Sequence, residues 1–190
     1  MNRKVYLDNA STTALRPEVI QEITHVLQEE YGNPSSTHSF GRSAKNILES
    51  SRKLIAKQLN ASAQEIIFTS GGTEANNWIL RSAIKDLKVK RIITSKIEHH
   101  AVLNTVLALQ TEYGVEVDFV NLNSKGEADI NHLVELLSQQ KPTLVALMHV
   151  NNETGTVLDI EKVARLCKQY NALFHSDTVQ SVGKTEIDLQ

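Results

Sequence analysis

Glu65-Ile66-Ile67-Phe68-Thr69-Ser70-Gly71-Gly72-Thr73-Glu74-Ala75-Asn76-Asn77 is the stretch that decides how this chain is read. Ile66-Ile67-Phe68 is β-branched and aromatic, which predicts a short buried strand. Gly71 and Gly72 allow a sharp turn and leave backbone N–H groups uncovered. Thr73 is the expected N-cap of a following helix, and Glu74 suits the positive end of its dipole. Free N–H groups, a hydroxyl and a helix N-terminus together suit a phosphate. A plain strand-to-helix connection with a good cap explains the same residues. No Lys-Ser/Thr pair follows the glycines, so this is not a Walker A loop, and the G-x-G-x-x-G spacing is absent.

Outward from that stretch, strands and helices alternate. Arg91-Ile92-Ile93-Thr94-Ser95 is predicted as a strand, followed by a helix from His99 to Tyr113 that Gly114 ends. Val115 to Val120 reads as an alternating strand, and Asp129 caps a helix bearing Leu133, Leu136 and Leu137. Leu144-Val145-Ala146-Leu147-Met148 is continuously apolar, as inside a parallel sheet. A helix from Asp159 to Tyr170 leads to a last strand, Ala172-Leu173-Phe174-His175-Ser176. Before the opening stretch, Val5-Tyr6-Leu7 reads as a strand, Pro17 opens a helix, and Ser43 to Leu59 forms another. Between those helices a loop of small hydroxyl residues carries His38, Phe40 and Arg42, which suit a site lining. The alternation predicts an α/β fold: a three-layer, mostly parallel sheet with helices on both faces.

The chain has 190 residues and a net charge of -2, with 5% aromatic residues and no basic stripe, so a nucleic-acid partner is not expected. No apolar run reaches transmembrane length and the N-terminus lacks a signal-peptide core, which makes the cytoplasm the expected location and a membrane role unexpected. Cys167 is the single cysteine and sits at helical spacing among apolar residues, as core packing does.

Function is read from where the polar clusters fall. Ligands of open parallel sheets bind outside the carboxyl ends of the strands. Four predicted strands end in Ser70-Gly71-Gly72-Thr73, Lys96-Ile97-Glu98-His99-His100, His149 to Thr156, and Asp177-Thr178-Val179-Gln180-Ser181. A phosphorylated heteroaromatic cofactor would suit that edge. Gly72 and Thr73 would take its phosphate, and Asp177 would pair with a protonated ring nitrogen, as pyridoxal phosphate requires. His99 would stack on the ring and move protons, while Asn152 and Gln180 would bond its hydroxyl. Each has a plainer reading too: Asp177 and Asn152 as turn residues, His99 as an ordinary helix start. A metallohydrolase built on His99, His100, His149, His175 and Asp177 lacks any tight ligand spacing such as H-E-x-x-H, so no metal is expected.

Six segments, in order, resemble the cysteine desulfurases, pyridoxal 5'-phosphate enzymes of aminotransferase class V. They are Tyr6 to Thr13, Gly32 to His38, Phe68 to Asn77, Glu98 to Val102, His149 to Gly155, and His175 to Lys184. Ser11 and Ala14 depart from the usual first motif. The resemblance implies the type I fold, with residues 1–14 associated with a small domain and residues 15–190 forming part of the large, cofactor-binding domain. It implies phosphate binding by Gly72 and Thr73, ring stacking by His99, ring-oxygen contacts from Asn152 and Gln180, and Asp177 at the ring nitrogen.

The implied reaction takes sulfur from L-cysteine, leaving alanine and an enzyme persulfide. The implied partners are a sulfur acceptor or iron–sulfur scaffold protein and a second copy in a homodimer. The family's Schiff-base lysine, in Ser-x-His-Lys, and its persulfide cysteine are expected beyond Gln190; Lys184 and Cys167 match neither. By itself the chain is therefore expected to be inactive and to be a fragment, a split-gene half or a truncated paralogue. The strand at residues 66–68 is then expected to lack its neighbours. A selenocysteine lyase, another class V aminotransferase or a non-enzymatic paralogue are the alternatives.

Overall fold

Four short parallel strands form one sheet: β1 (Arg91–Thr94), β2 (Glu116–Phe119), β3 (Thr143–Ala146) and β4 (Leu173–His175). Their order across the sheet is β2-β1-β3-β4, so all four carboxyl ends face one edge. In this computed structural model residues 4–190 are described, and they divide into two units. The sheet lies in Thr69–Thr185, and the other unit runs to Phe68 and takes in Glu186–Gln190.

The sheet unit is built by side-chain alternation. Ile92, Leu144 and Ala146 point to one face, where they pack with Leu80, Ala83 and Ile84 of α3 (Gly72–Lys85) and Val102, Val106 and Leu109 of α4 (His100–Tyr113). Ile93 and Val145 point to the other, against Leu133, Leu136 and Leu137 of α5 (Ile130–Leu137) and Val163 and Cys167 of α6 (Ile160–Gln169). The expected three layers are therefore present. Burial pushes the Cys167 thiol up to about 12, as suits a core residue rather than a nucleophile.

Caps hold the helix ends, at Asp129 and Gly114 as predicted and at Asp159, which was expected inside its helix. Asp129 accepts from the N–H groups of Asn131 and His132, and Asp159 accepts from that of Lys162. Gly114 ends α4 in the left-handed conformation. Arg91 is a polar exception in the core: it is fully buried and ties three strands to α5. It donates to Thr143 Oγ1 at 3.0 Å, Gln139 Oε1 at 2.9 Å and Leu136 O at 2.8 Å, and lies 3.5 Å from Asp118 Oδ2.

The other unit is helical. Pro17 occupies the first turn of α1 (Pro17–Glu29), and His38 caps α2 (Ser39–Gln58), which begins four residues before the predicted Ser43. Phe40 and Arg42, expected in a loop, lie in the first turn of α2. Gly32 is required where it stands, since a Cβ there would lie 2.2 Å from the Phe40 carbonyl oxygen. Val19, Ile20, Ile23, Val26 and Leu27 form an apolar stripe, but α1 buries none of its residues.

Two expected strands are absent. Residues 5–7 and 66–68 pair with no strand among the described residues, and Tyr6, Leu7, Ile67 and Phe68 are exposed. β-propensity makes a strand only where a neighbour takes the backbone hydrogen bonds. At residues 66–68 other contacts stand in: the Arg52 guanidinium donates to the Ile66 carbonyl and lies 4.7 Å from the Phe68 ring centre. No helix among the described residues is long and apolar enough to cross a membrane.

Candidate active site

The carboxyl edge of the sheet is where buried polar groups gather. Four buried side-chain polar atoms lack a hydrogen bond among the described residues, and three of them lie just past strand ends: Glu98 Oε2, His149 Nδ1 and Ser176 Oγ. Orphaned polar atoms are costly in a core and concentrate at sites with a use for them.

Asp177 is the centre of that edge. It follows β4, is buried, and has both carboxylate oxygens anchored. Asn76 Nδ2 donates to Oδ2 at 2.7 Å, and the Val179 N–H donates to Oδ1 at 3.0 Å. Its own carbonyl accepts from the His149 N–H at 3.0 Å, joining the ends of β4 and β3. Asn76 lies in α3, so the helix after the glycine turn is bonded directly to the strand end that carries the acid. Its amide oxygen meets His175 Nε2 at 2.8 Å. Burial lowers the His175 ring's basicity, and the charge of Asp177 opposes that shift.

Gly72 stands beside the same loop. A Cβ there would come within 2.7 Å of Val179 Cγ2, so α3 starts in close approach to the segment after Asp177. The N-cap of α3 is Gly71 rather than the predicted Thr73, and no side chain caps it. Thr73 instead occupies the first helical turn, exposed. Glu74 reaches back past the helix start to accept from the Ser70 N–H at 2.7 Å and hydroxyl at 2.6 Å. The Ser70 hydroxyl first, and its N–H second, lower the Glu74 carboxyl.

His99 is the N-cap of α4 rather than its first residue: its Nδ1 accepts from the Ala101 N–H at 3.1 Å, and the ring is exposed. That bond makes Nδ1 an acceptor and leaves the Nε2 side of the ring outward. Glu98 beside it is buried and bridges two strand ends, accepting from the Ser95 hydroxyl at 2.8 Å and the Met148 N–H at 3.1 Å. Burial pushes its carboxyl up to about 7 against those bonds, and the Asp177 charge adds to the rise.

Asn152 lies in the loop after β3, with its amide donating to Glu153 Oε1 at 2.8 Å. Its neighbour Asn151 organises that loop, accepting from the N–H groups of Glu153 and Thr154 and donating to the Ile97 carbonyl at 2.7 Å. The loops after β3 and β1 are thereby joined. Gln180 takes a 3.3 Å bond from Lys184 Nζ and lies three residues past Asp177.

The six residues singled out in the sequence thus all fall in the sheet unit, at strand ends or at the start of α3 or α4. Gly72, Asp177 and Gln180 share the junction of α3 with the loop after β4, whereas no hydrogen bond links His99 or Asn152 to Asp177 among the described residues. Sequence reasoning passed over Asn76 and Glu98. Asn76 left a trace: it is a polar residue in line with Leu80, Ala83 and Ile84 on the inward stripe of α3. Glu98 showed only as a member of the polar cluster after β1, because a carboxylate in a turn reads as exposed. No group of three or more metal-ligating side chains occurs among the described residues.

Comparison with known proteins places this geometry. The chain is similar to the cysteine desulfurase IscS of Dictyoglomus turgidum, 42% identical over 191 residues that cover 100% of this chain and 48% of that protein. It is also similar to a cysteine desulfurase of Cereibacter sphaeroides, 44% identical over 189 residues covering 98% and 49%. Of solved structures, a NifS-like protein superimposes with a TM-score of 0.91 at 38% identity, covering 98% of this chain and 52% of that one. SspA in complex with cysteine gives 0.89 at 34%, covering 97% and 53%. The chain spans about half the length of the curated relatives it matches. The sheet and its helices are part of the type I fold of pyridoxal-phosphate enzymes. Since the aminotransferase class V model matches residues 5–190, the chain belongs to the aminotransferase class V family.

Proposed function

We propose that this chain provides one half of the cofactor site of a cysteine desulfurase, which removes sulfur from L-cysteine and leaves alanine. The observation that carries the reading is Asp177, buried at a strand end with one fixed donor on each oxygen and lone pairs still available. That arrangement fits pyridoxal phosphate, whose ring nitrogen needs a fixed anionic partner. The close approach at Gly72 and the helix start without a side-chain cap fit its phosphate.

In this reading the N–H groups of Gly72 and Thr73 and the Thr73 hydroxyl bind phosphate. Asp177 holds a proton on the ring nitrogen. The exposed His99 ring covers the cofactor face, with its Nε2 side placed to move a proton. Asn152 and Gln180 bond the ring oxygen. Bound there, pyridoxal phosphate supplies the electron sink that makes the substrate's α-carbon reactive. Residues 1–14 belong with a small domain and residues 15–190 with the large one. The persulfide sulfur passes to an iron–sulfur scaffold or other acceptor, and the whole protein works in the cytoplasm as a homodimer. Similarity to cysteine desulfurases, and to a protein solved with cysteine, favours L-cysteine as substrate.

Titrating the purified chain with pyridoxal phosphate, followed by cofactor absorbance, tests this. Saturable one-to-one binding is expected, weakened about tenfold or more in Asp177→Ala, since a charged hydrogen bond is lost. Binding unaffected by that substitution would overturn the assignment. In a longer protein carrying these residues, Asp177→Asn is expected to slow alanine release from L-cysteine about a hundredfold, as for removal of one preorganised charge.

A further inference from the structure

We propose that Asn76 is the positioning residue of this site, its single amide fixing the carboxylate of Asp177 and the Nε2–H tautomer of His175 from helix α3. The inference rests on the reading of Asp177 as the partner of a cofactor ring nitrogen, and it adds what orients that acid.

The argument follows from donor and acceptor counts. Asn76 is buried and reaches two groups that are two residues apart on the chain: Asp177 Oδ2 at 2.7 Å and His175 Nε2 at 2.8 Å. An ionised carboxylate only accepts, so the amide NH2 must face Asp177. The amide oxygen is then left for His175, and it can only accept. His175 Nε2 must therefore carry a proton, which leaves Nδ1 bare in the neutral ring. Burial keeps that ring neutral, against the pull of Asp177. With the Val179 N–H on Oδ1, the Asp177 carboxylate has a donor on each oxygen, which sets its plane. The lock comes from a helix whose first turn begins at Gly72, so one element sets both the proposed phosphate end and the ring-nitrogen end of the site.

Two substitutions separate the two halves of the amide. Asn76→Asp keeps an acceptor for His175 but sets a second carboxylate against Asp177. Asn76→Leu removes both bonds at similar volume. Long-range 1H–15N spectra of the labelled chain at mildly alkaline pH read the tautomer, with His175 assigned through His175→Gln. The wild type is expected to show Nε2 of the protonated type and Nδ1 of the bare type. The pattern should persist in Asn76→Asp and collapse to a mixed average in Asn76→Leu. Both variants should bind pyridoxal phosphate about tenfold more weakly, or worse.

An Nδ1–H tautomer in the wild type, an unchanged tautomer in Asn76→Leu, or wild-type cofactor affinity in both variants would overturn the proposal. A wild-type chain with the expected tautomer, lost in Asn76→Leu, but without saturable cofactor binding would support the lock and sink the cofactor reading. Should Asn76→Leu not fold, the bond is tested from its other end. His175→Gln can still donate an N–H to Asn76 and should retain the affinity that His175→Phe loses. Equal affinities for those two variants would again overturn the proposal.

Discussion

Helices α4 and α1 carry comparable apolar stripes and end in opposite states. In α4, Val102, Val106 and Leu109 are completely buried under the sheet. In α1, Val19, Ile20, Ile23 and Leu27 follow the same spacing and all remain exposed. Both sequences predict a helix with apolar residues three and four apart. What differs is the availability of a second apolar layer, since a stripe defines a demand for burial and only a neighbouring element meets it. The same contrast separates β1 from residues 66–68. Both carry an Ile-Ile pair, but β1 has β2 and β3 on its two sides, and residues 66–68 have no strand partner among those described.

The largest effect expected from this contrast is at Arg91. Arg91→Met takes the donor from two buried acceptors, Thr143 Oγ1 and the Leu136 carbonyl, and the cation from half-buried Asp118, and should lower the stability of the sheet unit by about 3–5 kcal/mol. Urea unfolding followed by Trp78, which lies in α3, reads it; a loss below 1 kcal/mol would mean that the buried charge is not what ties the strands together.

A matched pair comes next. Leu109→Ala should cost about 2–5 kcal/mol through the cavity it opens. Leu27→Ala in α1, where the residue is 74% exposed, should stay within about 0.5 kcal/mol. Equal costs, measured by circular dichroism in urea, would erase the distinction drawn between the two helices.

Glu98 sharpens the comparison at the carboxyl edge. Its carboxyl is raised from 4.5 to about 7 on folding, so its favourable contribution is present below pH 4.5 and lost as pH rises through about 7. The shift corresponds to roughly 3 kcal/mol of stability lost across that window. Glu98→Gln should flatten this part of the pH–stability curve. An unchanged slope in the variant would show that Glu98 is not the titrating group.

The smallest effect is local. Amides of residues 92–94 and 144–146 should be strongly protected from hydrogen exchange, and those of residues 66–68 should exchange close to the unfolded rate. Strong protection at residues 66–68 would mean that they gain a partner in solution.

The alternation of periods along the chain was sufficient to specify the parallel sheet, its two helical faces and the core role of Cys167. Caps such as Asp129 and Gly114 marked helix ends because their chemistry is local. The polar clusters at strand ends marked one edge of the sheet for the same reason, since parallel strands direct their carboxyl ends to one edge whatever the details of packing. Tertiary structure alone decided that Asn76 faces Asp177 and His175, that one oxygen of buried Glu98 has no partner among the described residues, and that residues 5–7 and 66–68 pair with no strand among them. Those outcomes depend on which distant segment supplies a hydrogen bond or an apolar surface, and local residue pattern does not encode that choice.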